Sequence, residues 1–178
     1  MKKIFASSIA IFICAIALYS CTKQTRIPKA NWLFVQSSTK GSFEAVLGDS
    51  NRYTLSLKGV TPCMISFTDR PIRMASTIST KNFVDNWNAG KGANNFKSDP
   101  PNAALVLSVN NIDDIYIFSL QNPSYDANTQ TLTYTATPIT ITTSPSMDQI
   151  PCTLNATMPA SFGPATLFID DSWGGLGG

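Results

Sequence analysis

Two stretches of strict two-residue alternation constrain this chain most. Tyr53 to Lys58 sets Tyr53, Leu55 and Leu57 against Thr54, Ser56 and Lys58. Thr131 to Thr137 sets Leu132, Tyr134 and Ala136 against four threonines. Successive side chains of a strand point to opposite faces, so each stretch predicts a strand with one dry and one wet face. Such strands are stable only where their dry faces share a core, and the remaining chain supplies candidates for it.

Trp32 to Ser37 and Cys63 to Thr68 are dense in β-formers and predict strands. Ser42 to Leu47 predicts another, with Phe43, Ala45 and Leu47 on one face, and Gly48 to Asn51 reads as a turn. Asn102 to Val109 and Ile112 to Leu120 predict a hairpin across Asn110-Asn111. Its second strand is apolar at both phases, so it reads as central and covered on both faces. Asn122-Pro123 and Asp126 to Asn128 predict the next turn, and Pro138 a bulge or an edge. Ala165 to Ile169 predicts the last strand.

One helix is predicted, over Ser79 to Ala89. Ser79 can cap it, Phe83, Val84 and Trp87 form an apolar stripe, and Gly90 stops it. About nine short strands with one short inserted helix near 79–89 predict an all-β fold, an antiparallel β-sandwich, with a barrel as the alternative. The expected organisation is a leader over 1–20, a tether over 21–31, one sandwich domain over 32–170 and a glycine-rich tail over 171–178.

The first residues bear on location. Lys2 and Lys3 precede an almost uncharged apolar run from Ile4 to Leu18, the length of a signal-peptide core and short for a membrane span. Leu18-Tyr19-Ser20-Cys21 follows, which resembles a bacterial lipobox. The resemblance implies cleavage before Cys21, lipidation of Cys21 and stable anchoring through several acyl chains. Thr22, in place of aspartate, leans towards the outer membrane in a source with two membranes. The alternative is a secretory signal cut after Ser20. With Cys21 assigned to lipid, Cys63 and Cys152 remain in an exported chain and suggest one disulfide, or else two separate thiols. A loop that long would stabilise the fold by about 4–5 kcal/mol on the chain-entropy view.

Composition excludes several chemistries. There is no histidine, which removes Ser-His-Asp and Cys-His catalysis and most zinc sites. Of 13 lysines and arginines, Lys2 and Lys3 leave with the leader, so 11 cationic groups face 11 acidic ones. A balanced chain without a basic stripe argues against nucleic acid as a partner.

A further pattern joins Tyr53-Thr54-Leu55-Ser56-Leu57-Lys58-Gly59-Val60, Phe67-Thr68-Asp69-Arg70-Pro71, Phe83-Val84-Asp85-Asn86-Trp87, Asp99-Pro100-Pro101-Asn102-Ala103, Asn122-Pro123-Ser124-Tyr125-Asp126 and Thr131-Leu132-Thr133-Tyr134. From Thr54 to Ile141 it resembles a family of uncharacterised exported bacterial proteins. The resemblance implies an exported β-rich domain and no assigned activity.

Asp69, Arg70, Arg73, Asp99 and Asn102 are the candidate polar cluster, with Asp85 between them in sequence. If their loops meet, two carboxylates could bind a ligand or cation, or act as an acid/base pair on a glycan. The structural alternative pairs Arg70 with Asp99 and turns Asp69 and Asn102 to backbone groups. Asp113-Asp114 and Asp170-Asp171 lack calcium-loop spacing. Trp87, at helical spacing, reads as core, and Trp173 lies in the glycine-rich tail. No catalytic residue, metal ligand or cofactor is assigned. The expected function is a non-enzymatic cell-envelope lipoprotein, a binding or structural module whose partners are the membrane and an envelope or surface ligand, with oligomeric state left open. The alternatives are a hydrolase of glycans or envelope polymers using Asp69 and Asp99, and a secreted factor acting on a host or competitor.

Overall fold

A computed structural model describes residues 31–68, 72–90, 95–109, 112–139, 152–154 and 157–171, with only the backbone at 108–109, 112–113, 152–154 and 171. The strands are β1 Trp32–Ser38, β2 Lys40–Val46, β3 Asp49–Lys58, β4 Cys63–Thr68, β5 Ala75–Ser79, β6 Asn102–Val109, β7 Ile112–Asp126, β8 Thr131–Pro138, β9 Cys152–Leu154, β10 Ser161–Phe162 and β11 Ala165–Asp171. One helix, α1 Thr80–Ala89, lies between β5 and β6. The expected all-β class with one inserted helix is what the chain adopts.

The strands form one hydrogen-bonded sheet in the order β10-β2-β3-β8-β7-β6-β11-β1-β4-β5, and β9 pairs with β7 off this path. Neighbours run antiparallel except β7 and β9. The ladder is continuous, so the expected two layers are not two separately bonded sheets. The first and last described strands pair near the middle of the order, Phe34 opposite Ile169 and Gln36 opposite Leu167.

Ring contacts show that this sheet curls. β2 and β7 are three ladder steps apart, about 14 Å along the sheet. Yet the Phe43 ring lies 5.9 Å from that of Phe118. On the same concave side, α1 links β1 to β8. Phe34 packs on Phe83 at 5.0 Å, Phe83 on Trp87 at 5.7 Å, and Trp87 on Tyr134 at 5.7 Å. The helix thus fills the hollow of the sheet.

Local chemistry sets α1. The Ser79 hydroxyl accepts from the Asn82 N–H at 3.1 Å, and Gly90 adopts φ 58° while its N–H donates to the Trp87 carbonyl. Thr80, fully buried, anchors the first turn. Its hydroxyl donates to the Thr61 carbonyl at 2.8 Å and lies 3.2 Å from the Gln36 Oε1. The buried Gln36 amide donates in turn to Thr61 Oγ1 and O. This network closes the hollow beside β1 with its polar atoms satisfied.

Other expectations are corrected. Gly48, at φ 81°, turns β2 into β3 with Leu47, while Asp49 to Asn51 are already strand. Ala45 keeps the register of Phe43, opposite Tyr53, but is exposed near the strand end; the register shifts after it, and Leu47 is exposed in the turn. Asn122-Pro123 is a bulge rather than a turn. Asn122 takes φ 49°, the register shifts between Gln121 and Ser124, and β7 continues to Asp126. Proline lacks an N–H for the ladder, so a bulge is where a long strand accommodates it.

The convex face divides in two. Across β4, β1, β11, β6 and β7, one register row reads Ile65, Val35, Phe168, Ala104, Ile117, and the Ile139 N–H donates to the Ile117 carbonyl at its end. Phe67 opposite Leu33 lies on one side of this row, and Thr166, Val106 and Ile115 on the other. Across β2, β3, β8 and β7 the rows are Ser42, Ser56, Thr133, Ser124 and Glu44, Thr54, Thr135, Gln121. One half is apolar and the other presents hydroxyls and amides.

Candidate functional site

The bulge in β7 meets the C-terminal end of α1. The Asn88 side-chain amide donates to the Pro123 carbonyl at 3.2 Å. The Leu120 N–H donates to the Pro101 carbonyl at 3.0 Å, joining the Asp99-Pro100-Pro101 approach to the same region. Asn95 builds the adjoining turn: its Oδ1 accepts from the N–H groups of Lys97 and Ser98, and its carbonyl accepts from Asp99. These elements enclose a cleft of about 160 Å³ lined by Trp87, Asn88, Phe96, Lys97, Gln121 and Asn122. Stretches singled out in the sequence for their pattern, around Trp87, Pro101 and Asn122-Pro123, therefore converge in space.

The lining has a defined inventory. Trp87 and Phe96 are buried and pack with ring centres 4.7 Å apart and planes tilted by 57°, forming an aromatic floor. Asn88 spends its amide N–H on Pro123, and Asn122 donates to Thr135 Oγ1 at 3.3 Å. Both therefore keep a side-chain carbonyl oxygen as acceptor. Gln121 and Lys97 complete the lining. The cleft can hydrogen-bond a ligand carrying hydroxyl donors and one acidic group. Below the floor, the Tyr134 hydroxyl is buried and has no hydrogen-bond partner among the described residues, and burial pushes its phenol pKa up.

A second concavity, about 200 Å³, lies on the apolar half of the convex face, lined by Leu33, Asn102, Ala104, Ile117, Phe168 and Asp170. It offers almost no hydrogen bonding and suits an apolar surface.

The candidate polar cluster is described only in part. Asn102 is exposed at the start of β6, Asp99 is exposed in the turn before it, and Arg73 is exposed between β4 and β5. Asp69 and Arg70 lie outside the described residues. Asp85 pairs with Lys81 at 2.6 Å on the solvent side of α1. Among the described residues, the ion pairs are this one and Arg52–Asp49, so neither Arg73 nor Asp99 takes part in one. Trp87 is core, as its helical spacing predicts, and Trp173 lies outside the described residues. Among the described residues, no three metal-binding side chains gather, and no helix is long and apolar enough to cross a membrane.

The expected Cys63–Cys152 bridge is not shown. Cys63 is an exposed free thiol. Cys152 starts β9, and four strands lie between β4 and β9 in the sheet order. The signal peptide and the Cys21 lipidation site lie outside the described residues.

Sequence reasoning missed the cleft because its polar residues sit on segments read separately as helix, loop and turn. The usable signal was Asn122-Pro123 next to an apolar strand, which also marks a bulge. No family model matches the chain, and no curated protein or solved structure matches it.

Proposed function

We propose that the protein is a cell-envelope lipoprotein whose domain is a non-enzymatic binding module, taking a small hydroxyl-bearing ligand in the Trp87–Asn122 cleft. The observation that carries the anchor is Leu18-Tyr19-Ser20-Cys21 behind a basic start and an apolar run, ten residues before β1 begins. The cleft supports binding: its described lining holds amide side chains, one lysine and an aromatic floor. The patterned stretches that resemble exported bacterial proteins fall within this domain and agree with export.

Metabolic labelling with a palmitate analogue tests the anchor. The proposal expects label on the wild-type chain and none on Cys21→Ser; an unlabelled wild-type chain contradicts it. Saturation-transfer NMR with glucuronate tests the cleft. The proposal expects a signal that falls several-fold in Lys97→Ala or Gln121→Ala, and no signal from the wild type contradicts the ligand class.

A further inference from the structure

The Trp87 ring is closed in on its faces and open at one atom. It is 2% exposed and packs against Phe83 at 5.7 Å, Phe96 at 4.7 Å and Tyr134 at 5.7 Å. Its indole N–H has no hydrogen-bond partner among the described residues, yet the one sealed side-chain polar atom left without a partner is the Tyr134 hydroxyl. An unpartnered N–H that is not sealed reaches open space, and the open space that Trp87 lines is the cleft. Beside it the ladder is interrupted, where the register of β7 shifts between Gln121 and Ser124.

The wall around this N–H is rich in acceptors. Asn88 and Asn122 direct their amide N–H groups to Pro123 and Thr135 and keep their carbonyl oxygens. The C-terminal, negative end of α1 lies at the same place. Gln121 and Lys97 carry donors, but on side chains with several rotatable bonds, and Lys97 is exposed. The indole N–H has no such freedom, because three rings hold it. A donor fixed in this way loses no further conformational freedom when a ligand binds.

We propose that the Trp87 indole N–H sets the specificity of the cleft: it donates to an oxygen of the ligand whose hydroxyls donate to Asn88 and Asn122. A hydroxyl oxygen can accept and donate at once, so a ring bearing several hydroxyls satisfies both sides. An analogue without the accepting oxygen would cover the N–H and leave it unpaired, which is how a polar site rejects a ligand of the right shape. The role rests on the cleft being a ligand site, as proposed above.

NMR on the full chain in detergent, with isotope-labelled tryptophan, tests it. Trp32, Trp87 and Trp173 give three indole N–H signals, and Trp87→Phe identifies the one from Trp87. A second variant carries benzothienylalanine in place of Trp87, where sulfur replaces the N–H and the ring shape is kept. The proposal expects the Trp87 N–H to exchange with water although its ring is buried. Glucuronate should shift that signal and slow its exchange several-fold. Saturation transfer to glucuronate should fall about five-fold or more in the benzothienylalanine variant. A Trp87 N–H that does not exchange, one that stays unmoved while glucuronate binds, or undiminished saturation transfer in the sulfur variant would each overturn the role of Trp87 and leave the ligand site standing. No saturation transfer from the wild-type chain would overturn both.

Discussion

The two halves of the convex face share one backbone ladder and differ in decoration. Behind both, the concave side buries leucines: Leu105, Leu107 and Leu167 in one half, which also buries Gln36, Ser38, Ser66 and Thr68, and Leu55, Leu57 and Leu132 in the other. The fold thus draws its burial from the inner face throughout, and the outer rows are free to vary without loss of core. Where they carry Ser42, Ser56, Thr133 and Thr135, the sheet is finished as a wet surface. Where they carry Val35, Phe168 and Ile117, it is left as a surface that gains free energy by being covered.

The largest expected effects should not distinguish the halves. Leu105→Ala and Leu132→Ala each delete a buried side chain and should each cost about 2–5 kcal/mol, read from denaturant midpoints. A loss confined to one half would break the claim of a shared core. Gln36→Ala should cost about 1–3 kcal/mol, because it leaves the Thr80 and Thr61 groups short of a partner in a closed space. Gly41→Val should cost about 1–3 kcal/mol, since a Cβ there would stand 2.4 Å from the Phe162 ring and 2.6 Å from the Ser56 carbonyl.

Smaller effects should separate the halves. Thr135→Val should change stability by no more than about 0.5 kcal/mol. Phe168→Ser, which removes a half-buried ring from the apolar half, should cost more, about 1–2 kcal/mol, read from denaturant midpoints.

The smallest effect is acid sensitivity. Asp49 is held below its usual pKa by the Asn51 N–H and the Arg52 guanidinium, and Asp126 by the Thr129 hydroxyl and the Asn128 N–H. A carboxyl whose folded pKa is lowered stabilises above its unfolded pKa, near 3.8, and that stability is lost as pH falls through the lower folded value. Both groups sit at hairpin turns of the hydroxyl half, β2–β3 and β7–β8. Hydrogen exchange at pH 3 should therefore show β3 and β8 losing protection before β6 and β11.

Much of the fold was legible where periodicity was strong. The alternation at Leu55, Leu57, Leu132 and Tyr134 marks inner positions, and Ser79 with Gly90 brackets the helix. β5 escaped because Ala75-Ser-Thr-Ile-Ser carries no apolar alternation; it exists by pairing with β4. β9 and β10 are three and two residues long and are set by long-range pairing with β7 and β2. The site was less legible. Asn88, Lys97 and Asn122 come together only through the bulge and the packing of α1, and neither leaves a periodic trace. The disulfide expectation rested on cysteine count and compartment, and Cys63 stands as a free, exposed thiol.

Intact-mass spectrometry of the chain recovered from the envelope and from the medium tests the central functional claim most directly. The account predicts an envelope-bound chain that begins at Cys21 and carries diacylglycerol and an N-terminal acyl mass. A chain that begins at an unmodified Cys21 and is recovered from the medium would contradict it.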